Sequence, residues 1–324
     1  MTCLNVPNAA RALRRREPRR DGVDGDRPAR GRPRWPAAAL SARPGAERPI
    51  GVFDSGVGGL TVLRELRGQL PSESTLYLGD EARMPYGPRP TGEVVAFTRE
   101  AVRWLAAWDC KLIVLACNTA TSVALELVRD ETDVPVIGVI RPGAAAAVAA
   151  SSRRAIGVLA TSGTVRSGAY VRALRDLDPL VDVVQQACPK LVPLVEAGEA
   201  DSDDAEAAIR EYVGPLLEDG AVVSPAIDTL LLGCTHYPLL RERLTKVAGP
   251  RVRIVDSAAT TALAVREVLE SHRLTRQDAD PRHRVFATGP VEHFAAVAMA
   301  IFGGAGSRIF PEIERADLAA HSRS

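Results

Sequence analysis

From Pro49 onward the sequence alternates short, uninterrupted apolar runs with longer segments of helical periodicity, and this alternation limits the fold more than any other feature. PIGVF (49–53) reads as a strand, GGLTVLRELRGQL (58–70) as a helix and TLYLGD (75–80) as a strand. Residues 93–108 put Val94, Phe97, Ala101, Leu105 and Trp108 on one helical face, at spacings of three and four. LIVLAC (112–117), a helix over 119–130 and VPVIGVI (134–140) continue the pattern, and AIGVLAT (155–161), VDVVQQAC (181–188), DTLLLGC (228–234), RVRIVD (251–256) and HRVFATG (283–289) carry it to the C-terminal region. The strands are runs of Val, Ile and Leu rather than apolar–polar alternations. A strand reads that way when helices cover both faces of its sheet, which predicts parallel α/β architecture.

A weak internal repeat divides this pattern in two. Ile50-Gly51-Val52-Phe53-Asp54-Ser55-Gly56 is similar to Ile156-Gly157-Val158-Leu159-Ala160-Thr161-Ser162-Gly163, and downstream in each half a strand ends in a cysteine, LIVLACNTA (112–120) and TLLLGCTHYP (229–238). Ligands bind at the carboxyl ends of strands in open α/β sheets, so two such halves facing each other would bring Cys117 and Cys234 to one cleft. The expected fold is therefore α/β with two similar domains, each a mainly parallel sheet flanked by helices, related by a pseudo-twofold with the active site between them. Residues 49–140 plus 256–313 are expected to form the first domain, carrying Cys117. Residues 141–255 form the second, carrying Cys234, and 314–324 are a tail.

Residues 1–48 have a different composition. They hold twelve Arg against five acidic residues, a local excess of +7, and combine Arg, Pro, Gly and Asp with almost no apolar periodicity. Such a segment buries too little surface to offset the cost of ordering, so it is expected to be a disordered extension. The chain as a whole has a net charge of +1, which leaves the remainder at −6 and argues against a nucleic-acid-binding core. No apolar stretch is long enough to span a membrane. The five cysteines, Cys3, Cys110, Cys117, Cys188 and Cys234, are odd in number and widely spaced with no CxxC, which argues against a disulfide framework or a structural zinc site. Without a secretory signal as well, a cytoplasmic location is expected.

Cys117 and Cys234 each follow an apolar strand and precede polar residues, Asn118-Thr119 and Thr235-His236. A single cysteine in such a place usually fills space, and Cys110 and Cys188 are read that way. Two in matching positions suit a two-base proton exchange, in which one group abstracts as thiolate and the other delivers as thiol from the far side. Holding an ordinary thiol as thiolate at neutral pH costs only about 2 kcal/mol. His236, two residues from Cys234, is placed to orient it or to move protons. Asp54 opens Asp54-Ser55-Gly56-Val57-Gly58-Gly59, where a strand turns into a helix whose first N–H groups favour an anion such as a carboxylate. The dinucleotide fingerprint fails there, since Thr61 stands where its third glycine belongs. Asp54 itself could cap the helix, support a thiol or meet a substrate ammonium. Arg83-Met84-Pro85-Tyr86-Gly87-Pro88 reads locally as a turn, and Glu196 in the 189–198 segment as a solvated helix residue.

Taken together, GVFDSGVGGLTVL, YLGDEARMPYG, LACNTATS, CPKLVPLVEAGE and LLLGCTHYPLL resemble the signature segments of the glutamate racemase family, in family order, over about Pro49 to about Ile313 and including the FATG…F segment. The resemblance implies that Cys117 and Cys234 are the catalytic acid/bases, the first acting on the D-isomer and the second on the L-isomer. It makes Asp54 and His236 auxiliary groups beside them and Glu196 a further acidic group. It also implies substrate contacts from Asp54, Ser55, Tyr86, Gly87, Asn118, Thr119, Thr235 and His236. The family uses neither pyridoxal phosphate nor a metal, so no cofactor is expected. Its product, D-glutamate, feeds bacterial peptidoglycan synthesis. The partners implied are glutamate and a second copy in a homodimer, with DNA gyrase as a further candidate that the basic extension suggests. The competing reading is a related racemase acting on aspartate or a hydantoin, which would share the two-cysteine logic. Two departures stand out: Arg141 in VIGVIRPG, where many relatives are acidic, and the extension itself.

Overall fold

The computed structural model describes residues 45–218, 226–277, 280–302 and 312–318. Its strands are β1 (Ile50–Asp54), β2 (Thr75–Gly79), β3 (Leu112–Leu115), β4 (Val136–Gly138), β5 (Ala155–Ala160), β6 (Asp182–Ala187), β7 (Thr229–Gly233), β8 (Arg253–Asp256), β9 (His283–Ala287) and β10 (Ile313–Arg315). They form two sheets, in the orders β10-β9-β2-β1-β3-β4 and β6-β5-β7-β8, and every pairing among the described residues is parallel.

The apolar runs are uninterrupted because each sheet has two covered faces. Along β1, Ile50 and Val52 join one core while Phe53 joins another; along β3, Leu112 and Val114 separate in the same way from Ile113 and Leu115. The second sheet repeats this, with Ile156, Val158 and Leu231 on one side and Leu159, Leu230 and Leu232 on the other. Helices supply the covering layers. The helix Leu60–Gln69 buries Leu60, Leu63 and Leu66, at spacing three, and packs on the helix Ala258–Ser271. In the helix Thr91–Ala107 the expected face is realised: Val94, Ala101 and Leu105 are buried, with Phe97 packed partly buried against the same core.

Three boundaries differ from the sequence reading. The tail expected from residue 314 begins inside a strand: Glu314 and Arg315 belong to β10, and Ala316 and Leu318 are buried. A three-residue edge strand leaves no periodic signal. The extension expected over 1–48 has an ordered end. Ala46 is buried and its carbonyl accepts from Lys111 Nζ at 2.7 Å, while Arg48 pairs with Asp109 at 3.0 Å. Lys111 is itself buried beside Glu73 at 2.5 Å, and a buried ammonium requires such acceptors. Residues 1–44, on which the extension and the gyrase suggestion mainly rest, lie outside the described residues, as does Cys3. Finally, VPVIGVI is a strand only over β4, and Ile140 already begins the helix Ile140–Ala150. No helix among the described residues is long and apolar enough to cross a membrane.

Candidate active site

Both cysteines sit where a parallel strand gives way to the next element. Cys117 follows β3 and caps the helix Asn118–Glu131, its sulfur accepting from the Ala120 N–H at 3.5 Å. Cys234 follows β7 directly. The two carboxyl edges face one cavity of about 310 Å³, and both sulfur-bearing residues line it. Hydrogen bonds lace the edges together. Tyr170 donates to Asn118 Oδ1 at 2.6 Å, the Gly163 N–H donates to the Gly87 carbonyl at 2.9 Å, and Thr119 and Thr161 share a hydroxyl contact at 2.9 Å.

The Gly-rich turn makes this approach possible. A Cβ on Gly58 would stand 2.5 Å from Thr235 Oγ1 and 2.6 Å from His236 Nδ1, and one on Gly59 would stand 2.4 Å from Asp54 Cβ. A side chain at position 58 would drive the second half away from the first, and one at 59 would displace Asp54.

Of the residues singled out in the sequence, Ser55, Tyr86, Gly87, Cys117, Asn118, Thr119, Cys234, Thr235 and His236 line the cavity. Asp54 and Glu196 do not; they stand behind it. Asp54 is fully buried, accepting from the Gly56 N–H at 3.1 Å and Thr235 Oγ1 at 3.3 Å. Glu196 accepts from His236 Nε2 at 2.5 Å. Tyr86 reaches the wall, but its hydroxyl is committed to Asp80 at 2.5 Å. Asn118 Nδ2 is buried with no partner among the described residues, a donor left over for a ligand.

The wall also includes Thr161 and Ser162, which sequence reasoning did not name as site residues. The half-repeat contained the signal, since Thr161 and Ser162 follow the strand Ala155–Ala160 as Ser55 and Gly56 follow β1. Cys188, read as space-filling, also reaches the wall; its thiol donates to the Gln186 carbonyl at 3.4 Å, and burial pushes its pKa up. Arg141 is exposed on the helix Ile140–Ala150 and takes no part in the wall.

The electrostatics of the two cysteines differ. Burial, and next the Asp54 carboxylate, push the Cys117 thiol up to about 12, with Ser55 Oγ at 3.5 Å as its side-chain partner. Cys117 is thus held protonated. Burial raises Asp54 to about 6, against the pull of His236 and of backbone N–H groups. Burial alone would make His236 neutral, but contacts with Cys234 and Glu196 outweigh it and hold the imidazolium. Its Nδ1 lies 3.8 Å from Cys234 Sγ. No cluster of His, Cys, Asp and Glu among the described residues could hold a metal ion.

The family model for Asp/Glu/Hydantoin racemase matches residues 60–265. A glutamate racemase of Streptococcus equi is 46% identical over 255 residues, covering 78% of this chain and 94% of the relative. Among solved structures, a glutamate racemase isoform of Bacillus anthracis superposes with a TM-score of 0.78 at 40% identity, covering 84% of this chain and 98% of its own. A glutamate racemase of Francisella tularensis in complex with D-glutamate gives 0.75 at 29% identity, covering 85% and 99%.

Proposed function

The chain belongs to the Asp/Glu/Hydantoin racemase family, and on that footing we propose that it interconverts L- and D-glutamate with Cys117 and Cys234 as the two acid/bases. D-glutamate is the product that peptidoglycan synthesis draws on. The observation that carries the mechanism is the meeting of two cysteines, each from a strand end of a different sheet, on the wall of one small cavity.

An amino acid and its mirror image differ in the face that bears the α-proton, so a base on one face and an acid on the other suffice. Cys117, held as thiol, is the donor in the form described, and Cys234, beside the His236 imidazolium, is the base. Cys234 takes the α-proton of L-glutamate, the carbanion passes through planarity, and Cys117 delivers its proton to the opposite face. The reverse reaction exchanges the roles. Glu196 keeps His236 charged and oriented, and Asp54 buttresses the Cys117 side through the turn at Gly56. Ser55, Asn118, Thr119, Thr161 and Thr235 offer neutral donors to the substrate carboxylates, and the wall holds no Lys or Arg. Burial of both thiols sharpens the contrast between thiol and thiolate that the exchange requires.

Circular dichroism of the purified protein with L-glutamate, D-glutamate and L-aspartate, after dialysis against chelator and carbonyl reagents, tests the reading. Interconversion of glutamate without added cofactor is expected. A preference for aspartate, or a requirement for pyridoxal phosphate, would overturn it.

A further inference from the structure

Tyr170, on the helix Ala169–Leu177 of the second half, is fully buried, and its hydroxyl reaches across to the first half. It donates to Asn118 Oδ1 at 2.6 Å, and Asn118 is the residue that follows Cys117. The Tyr170 ring lies against the strand that carries the other cysteine. A Cβ on Gly233, the residue before Cys234, would stand 2.8 Å from Tyr170 Cε2, so the glycine leaves the room that the ring occupies. Burial, and next the charge of Cys234, raise the Tyr170 pKa, so the phenol keeps its proton to donate. Asn118 Oδ1 is its acceptor among the described residues.

A carboxamide can present either end to a neighbour. With its oxygen on Tyr170, Asn118 has its NH2 left for the cavity that it lines. Turned over, the amide would set its NH2 against the phenol oxygen and leave the buried O–H of Tyr170 without its acceptor, which is unfavourable. It would also offer the cavity a carbonyl oxygen, which repels a carboxylate. Tyr170 therefore selects which end of Asn118 a ligand meets. That choice matters here because Asn118 Nδ2 is buried without a partner among the described residues, and because the wall holds no Lys or Arg. A carboxylate in such a cavity depends on N–H and O–H donors that already point the right way.

On the racemase reading above, from which this inference proceeds, we propose that Tyr170 is a positioning residue whose hydroxyl fixes the Asn118 amide with Nδ2 offered to a carboxylate of glutamate. Tyr170 does not itself line the cavity. The group that fixes the amide comes from the half that carries Cys234, and the amide from the half that carries Cys117. The donor is thus aimed only where the two halves meet.

Steady-state racemisation of L- and D-glutamate by Tyr170→Phe, Asn118→Ala and the double variant tests this role. A donor that meets a carboxylate equally in substrate and transition state moves KM and leaves kcat. Asn118→Ala should raise KM by about 10-fold or more, the loss expected of a hydrogen bond to a charged group, and Tyr170→Phe by about 3–10-fold for both enantiomers. The kcat of Tyr170→Phe should stay within about two-fold of the wild type. Added to Asn118→Ala, Tyr170→Phe should raise KM by less than about two-fold, because the amide that it holds is already gone. A tyrosine that only fills space predicts the opposite: KM effects that multiply in the double variant, or a kcat that falls with kcat/KM. Either result overturns the proposal, and so does an unchanged KM in Tyr170→Phe.

Asn118→Asp gives a second reading that leaves Tyr170 in place, and it decides alone where Tyr170→Phe does not fold. The new carboxyl still accepts from Tyr170 but faces the cavity with oxygen in place of N–H, so KM should exceed that of Asn118→Ala. A KM at or below that of Asn118→Ala would overturn the assignment. A wild-type protein that fails to racemise glutamate defeats the preceding reading and this one with it, whereas an active wild type with indifferent variants defeats this one alone.

Discussion

The Cys117 and Cys234 sides of the cavity use the same backbone device with opposite accessories. Each cysteine follows a central parallel strand beside a strand that ends in a Gly-containing turn, β1 beside β3 and β5 beside β7. In the first half the adjoining strand ends in Asp54; its counterpart in the second half is Ala160, which lies opposite Gly233. Two residues after the cysteine the second half has His236, and the first has Thr119. One thiol therefore has a buried acid behind it and hydroxyls beside it, while the other has a cation backed by Glu196. A repeated fold fixes where two groups stand, and the side chains that break the repeat decide what charge surrounds each of them.

The largest expected effect comes from deleting either thiol. Cys117→Ala or Cys234→Ala should lower racemisation by at least about the 10²–10⁴-fold typical of a general acid–base group, and the double variant should lose little more. Serine sharpens the comparison, because a hydroxyl donates far more readily than it ionises. In deuterated water, Cys117→Ser should impair α-hydrogen exchange of D-glutamate most, and Cys234→Ser that of L-glutamate. Equal losses on both enantiomers would erase the division of labour.

Next come the accessories. His236→Asn removes the cation beside Cys234 and should slow proton removal from L-glutamate by about 10–100-fold, somewhat below the full contribution of an acid–base group. Glu196→Gln should act in the same direction and more weakly. If exchange of D-glutamate suffers as much as exchange of L-glutamate, His236 does not serve Cys234 selectively.

The buried acid behind Cys117 makes a prediction about stability. The Asp54 pKa is raised from 3.8 to about 6, so its contribution to folding is full below 3.8 and is lost as pH rises through 6. Asp54→Asn abolishes that titration. Denaturant unfolding should show the variant gaining on the wild type between pH 4 and pH 7, by at most about 3 kcal/mol. A gap that stays constant across that window would show that Asp54 is not strained when ionised.

The smallest effects belong to the remaining thiols. Cys110 lies in the core beneath Gly51, and Cys110→Ala should racemise at nearly the wild-type rate. Cys188→Ala, on the cavity wall, should change KM a few-fold and leave proton exchange intact. A loss comparable to that of Cys234→Ala would give Cys188 a part in the chemistry.

Much of this site was legible in the sequence because its backbone is regular. Val/Ile/Leu runs without alternation specify strands covered on both faces, and a cysteine at the end of such a strand is thereby placed at a carboxyl edge, so Cys117 and Cys234 could be paired before any coordinates. The short edge strand β10 and the packing of Ala46 carry no periodic signal and were missed. The sequence also placed Asp54 and Glu196 near the site without showing that both stand behind its wall, or that the Tyr86 hydroxyl is taken by Asp80. The placing of Asp54 and Glu196 depends on contacts between residues far apart in the chain, Thr235 on Asp54 and His236 on Glu196. Local periodicity determined the elements and the pairing of the two thiols. Tertiary structure decided their unequal surroundings, because burial and charge at a sulfur depend on which distant side chains fold against it.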